Sequence, residues 1–222
     1  MGASSAVLQV TIGRIDAGLQ NRKTALEPDC NFTHPTAMKD PQTNPPIAIP
    51  VFSGSGHTTR LAQAVAQGAG NARVIDIQQM TDADWHALDA APAIIFGTPT
   101  YMGSSAARYD AFLEEASDRW PAQLWADKIA GGFTVATFPS GDKLSTLMRL
   151  AVYAAQMGMI WVGQAEIGAP VDPEKPDINS AGSWLGLSAT SSRDKSLLIE
   201  APDMETARRF GKRISMAASR WF

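Results

Sequence analysis

The residue types best suited to chemistry lie in one short polar segment, Ser53–Thr58, with the sequence Ser-Gly-Ser-Gly-His-Thr. It follows the apolar run Ile47–Phe52 and precedes an alanine-rich stretch, a pattern that predicts a strand, a loop and a helix. Glycines allow a tight turn and close approach of the backbone to a ligand. The first amides of a helix are unpaired and attract anions. The segment therefore predicts a binding site for a phosphate monoester that needs no lysine.

This loop differs from the two best-known phosphate motifs. It lacks the Gly-Lys-Ser/Thr end of a Walker A motif, and Thr59 stands where the dinucleotide motif has its third glycine. For this loop taken alone, an ordinary polar turn before a helix stays open as an alternative.

Two more polar segments follow later apolar runs. Gly97–Gly103 (Gly-Thr-Pro-Thr-Tyr-Met-Gly) comes after the run 92–96, and Thr137–Asp142 comes after the run 129–136. We interpret both segments as loops at strand ends. The carboxyl ends of parallel strands share one sheet edge, where ligands bind at the topological switch point. The three loops are therefore expected to converge.

The elements that would position these loops alternate between strand and helix. Strands are predicted near 47–52, 72–77, 92–96, 129–136 and 159–162, with helical periodicity between them. This alternation favours an α/β fold with a doubly wound, five-stranded parallel sheet, helices on both faces and the flavodoxin-like order 2-1-3-4-5. The stretch 144–157 is apolar nearly all round, so we expect a helix buried on several sides.

Composition limits the remaining possibilities. The 222 residues carry a formal charge of -3, which gives no reason to expect a nucleic-acid partner. The chain has one cysteine, which excludes an internal disulfide. Only three histidines are present, and we predict no metal site. No membrane association is expected, and a cytoplasmic location is the default. We predict two regions: an irregular, proline-punctuated N-terminal extension over 1–46 and one domain over 47–222.

Over residues 47–222 the chain resembles flavodoxin-fold flavoproteins. It is most similar to the NAD(P)H:quinone oxidoreductases of the tryptophan-repressor-binding-protein type. The resemblance is carried by Ser53, Gly56-His57, Gly97–Gly103, Trp120 and Met157-Gly-Met159.

The chain departs from that family's pattern in three places. Residues 137–142 replace a glycine-rich run, Gln156 and Met157 replace histidines, and Ser180–Gly186 matches only loosely.

The resemblance implies an FMN cofactor, NAD(P)H as electron donor, a quinone acceptor and a homodimer or homotetramer. It implies a cofactor site made of the three loops: Ser53, Gly54, Ser55, Gly56, His57, Thr58, Pro99, Thr100, Tyr101, Met102, Gly103, Ala136, Thr137, Phe138, Pro139, Ser140 and Gly141.

Two residues are candidates for roles in turnover, and each has a plain alternative. Trp120 would form a stacking wall beside the flavin of a neighbouring subunit; the alternative is a hydrophobic cap at a helix end. His57 would hydrogen-bond near the flavin or phosphate, or it is a capping or surface histidine.

Other functions of the same fold stay open. One is a flavodoxin-type electron-transfer protein, although the mild acidity counts against it. Another is an FMN-binding protein without quinone reductase activity, and a third is an interaction protein that has lost its flavin.

Overall fold

The structure is a computed structural model, which describes residues 46–194 and 196–222. Apart from Pro46, the predicted N-terminal extension lies outside the described residues.

A parallel sheet forms the centre of the domain. Its five main strands are β1 (Ile47–Val51), β2 (Ala72–Asp76), β3 (Ala93–Tyr101), β5 (Ile129–Ala136) and β6 (Ile160–Trp161), and β4 is described below. They lie in the order β2-β1-β3-β5-β6, which is the predicted order 2-1-3-4-5. The central strands β1, β3 and β5 are buried along nearly their whole length because parallel strands inside a sheet are covered on both faces, whereas the edge strand β2 is partly exposed. The predicted fold class is confirmed.

Two strands were not anticipated. β4 (Ser104–Ser105) pairs antiparallel with the end of β3. β7 (Leu187–Thr190) runs parallel to the second half of β5, whose first half pairs with β6. The position beside β5 is therefore filled by two strands, and residues 162–186 leave the sheet between them.

Within the described residues, five α-helices cover the sheet: α1 (His57–Ala69), α2 (Asp82–Ala90), α3 (Ala107–Ala116), α4 (Lys143–Gln156) and α5 (Ala201–Trp221). One apolar cluster unites α1 and α5 with one face of the sheet, and a second unites α2, α3 and α4 with the other face. Because α1 follows β1 and α5 follows β7, both of which run parallel to the other main strands, both helices begin at the edge where the strands end. No helix in the described residues is long and apolar enough to cross a membrane.

The prediction for the helix near 144–157 is wrong in one respect. α4 buries Leu147, Leu150 and Ala154 but leaves Leu144, Met148 and Val152 exposed by 60%, 53% and 63%. The helix packs with one side on the sheet, and residues four apart form an outer apolar stripe.

Candidate functional site

The first loop connects β1 to α1 and presents unpaired polar groups. Gly56, with a φ of 89°, precedes α1 in the left-handed conformation, and no side chain caps the helix. The amides of its first turn are left for a ligand. The Ser53 Oγ is buried and has no hydrogen-bond partner among the described residues. A buried hydroxyl of this kind is costly unless something binds it.

The second segment is a hairpin rather than the predicted free loop. β3 continues to Tyr101, and the turn at Met102 and Gly103 leads into β4. A sequence with two threonines and a tyrosine has high strand propensity, which explains the longer strand. The turn leaves Met102 fully exposed and Tyr101 47% exposed. A Cβ placed on Gly54 would lie 2.5 Å from the Tyr101 hydroxyl, so the first two segments pack closely.

The third loop, after β5, contacts the second one. Its Thr137–Ser140 residues are exposed, including Phe138 at 72%. The Ser145 hydroxyl, at the start of α4, donates to the Gly103 carbonyl. This bond joins the base of the third loop to the hairpin turn.

Side chains behind the loops fix the strand ends. The Tyr109 hydroxyl donates to the Pro50 carbonyl at 2.9 Å and accepts from the Gly97 amide at 3.0 Å. The Thr100 hydroxyl lies 2.8 Å from the hydroxyls of both Thr134 and Thr146. These bonds link β1, β3, β5 and α4 where the loops leave the sheet. Such a supporting shell holds a site in place.

Two neighbouring cavities lie between the loops. The smaller one, of about 160 Å³, is lined by all three predicted segments and Ser191. The larger one, of about 850 Å³, is within the range of small-molecule sites. Both are lined by Ser55, His57, Thr137 and Ser191. The expected convergence of the three segments is therefore present in the structure.

The larger cavity has a wall that the sequence analysis missed. It is formed by the end of β7 and the segment that follows: Thr190, Ser191, Ser192, Arg193, Leu198 and Glu200. A detectable signal was present, because the apolar-polar alternation at Leu187-Ser-Ala-Thr190 is followed by the polar residues Ser191 and Ser192, much as β1 is followed by a serine- and glycine-rich loop. The surrounding polar and proline-rich residues obscured this short strand.

A buried cation and a partly buried carboxyl fix the end of β7. Lys143 Nζ donates to the Ala189 carbonyl at 3.1 Å and to Thr190 Oγ1 at 3.0 Å. The Thr190 amide donates to Asp203 Oδ2 at 2.9 Å. Burial lowers the pKa of Lys143 from its ordinary value, with the Asp203 charge opposing the shift. Burial raises the pKa of Asp203, opposed by the Thr190 amide and Lys143.

The two candidates for turnover lie in different places. His57 is the first residue of α1 and lines both cavities. Trp120 is 48% exposed and lines a separate cavity of about 420 Å³ with Arg149 and Tyr153. Within one chain the structure does not bring Trp120 to the loops. No cluster of His, Cys, Asp or Glu in the described part of the chain could hold a metal ion.

The residues present fit a flavin phosphate. The unpartnered Ser53 hydroxyl, the uncapped amides of α1 and the close contact of Gly54 with Tyr101 form a small neutral cradle. Helix N-termini of this kind bind phosphate.

Comparison with known proteins also indicates a flavin-binding family. The family model for NADPH-dependent FMN reductase matches residues 47–173. Flavodoxin FldP of Pseudomonas aeruginosa is 37% identical over 169 residues, covering 74% of this chain and 91% of the relative. An NAD(P)H dehydrogenase (quinone) of Archaeoglobus fulgidus is 26% identical over 200 residues, covering 78% and 97%.

Solved structures include a flavodoxin, WrbA-like protein from Agrobacterium tumefaciens, with a TM-score of 0.64 and 35% identity. That match covers 79% of this chain and 98% of the other. The Trp repressor binding protein from Bacillus subtilis shares the fold, with a TM-score of 0.53 at 20% identity, covering 74% of this chain and 96% of the other.

Proposed function

The chain belongs to the NADPH-dependent FMN reductase family, and we propose that it is an FMN-dependent NAD(P)H:quinone oxidoreductase. The observation that carries the proposal is the buried, unpartnered Ser53 hydroxyl beside the uncapped amides of α1, in a cavity shared by three strand-end segments. When bound, FMN would supply the redox chemistry, which is hydride acceptance from NAD(P)H and two-electron transfer to a quinone.

Each segment has a part in holding the cofactor. In this proposal Ser53–Thr58 bind the phosphate through amides and hydroxyls. Pro99–Gly103 run beside the ring system, with Tyr101 and Met102 exposed toward it, and Ala136–Gly141 close its pyrimidine side. The half-exposed Tyr101 ring and the exposed Phe138 ring are available for stacking.

The protein contributes orientation more than proton transfer. Among the described residues, the titratable side chains of the larger cavity are His57, Arg193 and Glu200. Glu200 already accepts a hydrogen bond from the Ser192 hydroxyl. We therefore assign binding and positioning to these groups and no dedicated acid–base pair. Trp120 of a neighbouring subunit remains our candidate for the wall on which quinone or nicotinamide stacks.

A flavodoxin-type electron carrier is the second candidate. It is supported by the 37% identity to a protein named flavodoxin FldP, which exceeds the identity to the relatives named as quinone dehydrogenases. A carrier would bind FMN at the same cradle and receive electrons singly from a reductase. The two candidates differ in whether NAD(P)H alone reduces the protein.

The test begins with the visible absorption spectrum of the purified full chain. Flavin bands, with FMN identified after heat release, are expected. Bleaching by NADH or NADPH, followed by turnover with a soluble quinone, supports the reductase. Bound FMN that neither nucleotide bleaches supports the carrier. A colourless protein that does not take up added FMN would refute both.

A homodimer or homotetramer is part of the proposal. The outer stripe of α4 (Leu144, Met148 and Val152) is an exposed apolar face, which a second copy of the chain would cover. Light scattering after gel filtration tests this, and Met148→Glu should reduce the assembly to monomers. An unchanged assembly would place the interface elsewhere.

We also propose a cytoplasmic location, which cell fractionation would test.

A further inference from the structure

We propose that Arg193 binds the phosphoryl group held at the start of α1. This inference rests on the proposed function, under which that group is the 5′-phosphate of FMN. Arg193 lies outside the three sequence-predicted segments, in the missed wall formed by the residues between β7 and α5. It lines the larger cavity together with Ser55 and His57 of the first loop.

The packing of α1 against α5 brings these segments together. Both helices cover the same sheet face and begin at the same edge, so the segment before α5 lies beside the segment before α1. The contact is direct, because a Cβ placed on Gly56 would lie 3.4 Å from Leu198 Cδ1. Arg193 therefore belongs to a wall that contacts the phosphate cradle.

The backbone around Arg193 is anchored. The Ser191 amide donates to the Ala136 carbonyl at 2.9 Å, and the Ser192 amide donates to the Leu198 carbonyl at 2.7 Å. Ser191 also forms an isolated bridge with Ile199. Lys143 and Asp203 hold Thr190 from two sides. A guanidinium projecting from a fixed backbone loses less entropy on binding a phosphate.

A positively charged side chain in this wall would balance the negative charge of a bound phosphate. The first loop, Ser53–Thr58, contains no lysine or arginine, while a phosphate monoester is anionic at neutral pH. The Arg193 side chain is exposed and has no ion-pair or hydrogen-bond partner among the described residues. The carboxylate in this cavity, Glu200, is engaged by the Ser192 hydroxyl. An arginine fork forms strong paired hydrogen bonds with phosphate oxygens.

The experiment compares FMN with riboflavin, which lacks the phosphate. Apoprotein prepared from the full chain is titrated with each flavin, and the dissociation constant is read from flavin fluorescence. Arg193→Ala should weaken FMN binding about tenfold, as expected for loss of one exposed charge-assisted hydrogen bond, and leave riboflavin binding unchanged. Arg193→Lys should retain most of the FMN affinity.

A matched control removes a distant cation. Arg220, in the last turn of α5, also lacks a partner among the described residues, so Arg220→Ala should change neither flavin's affinity. The FMN dissociation constant of the wild-type protein should also rise more steeply with salt than that of Arg193→Ala.

Several results would overturn the assignment. Equal weakening of FMN and riboflavin would mean that Arg193 only supports the fold. Unchanged FMN affinity with a higher KM for NADPH, but not for NADH, would assign Arg193 to the co-substrate's phosphate. Failure of the wild-type apoprotein to bind either flavin would refute the proposed function itself, a result distinct from both.

Discussion

Two buried tyrosines allow a test of whether hydrogen bonds to buried groups stabilise the strand ends. Tyr109 bridges the Pro50 carbonyl and the Gly97 amide, whereas the Tyr153 hydroxyl is buried with no partner among the described residues. Both rings pack against aromatic neighbours, Tyr109 against Phe112 and Tyr153 against Phe96. Replacement by phenylalanine keeps the ring and removes only the hydroxyl.

The expected effects differ in size. Tyr109→Phe removes two hydrogen bonds and leaves a buried amide and a buried carbonyl without that partner, so it should lower the free energy of unfolding by about 2–3 kcal/mol. Tyr153→Phe removes an unsatisfied hydroxyl, so the free energy of unfolding should stay within about 0.5 kcal/mol of wild type or rise.

The assay is urea unfolding of both variants and the wild type at one pH, monitored by tryptophan fluorescence. The denaturant slope should stay constant, so that midpoints report stability directly. Equal losses in the two variants, or a larger loss for Tyr153→Phe, would falsify the reasoning from hydrogen-bond partners.

Three further predictions concern the site and its supports. Ser53→Ala removes the unpartnered hydroxyl, so the stability of the apoprotein should stay within about 0.5 kcal/mol of wild type while FMN binding weakens about tenfold; weakened stability with unchanged FMN affinity would contradict the cradle. Gly97→Ala places a Cβ 2.2 Å from the buried Phe133 ring, so thermal unfolding should show a loss of about 3 kcal/mol, and a neutral effect would refute the close packing. Because the folded pKa of Lys143 lies below 10.5, the unfolded chain binds more protons between the folded and unfolded values; wild-type stability should therefore rise with pH in that window, relative to Lys143→Met, and parallel pH profiles would contradict this.

The centre of the sheet could be predicted from sequence because β1, β3 and β5 are buried on both faces. Continuous apolar runs mark β1, β3 and β5, and they leave little ambiguity about which residues enter the core. The order of these strands then follows from connection rules rather than from individual residues. The convergence of the three loops depends on the same reasoning.

Other parts of the site could not be predicted from local pattern. β7 has four residues and is stabilised by pairing with β5 and by Lys143 and Asp203, contacts that involve distant parts of the chain. The alternation at Leu187–Thr190 indicates at most a short strand, and it does not show that this strand pairs with β5 and brings Arg193 to the cavity. The exposed stripe of α4 was misjudged because an all-round apolar pattern also arises when an outer face is covered by something outside the fold.

Two different strands, β6 and β7, pair with the two halves of β5, and this arrangement has a consequence for the order of folding. Ile129 pairs with Ile160, whereas Phe133 pairs with Leu187, which is much farther along the chain. Pairings between distant residues form later because closing the longer loop costs more entropy. We therefore expect β7 to dock after the rest of the sheet during folding. The wall that carries Arg193 would then be the last part of the cavity to assemble, and its amides should gain protection when FMN binds.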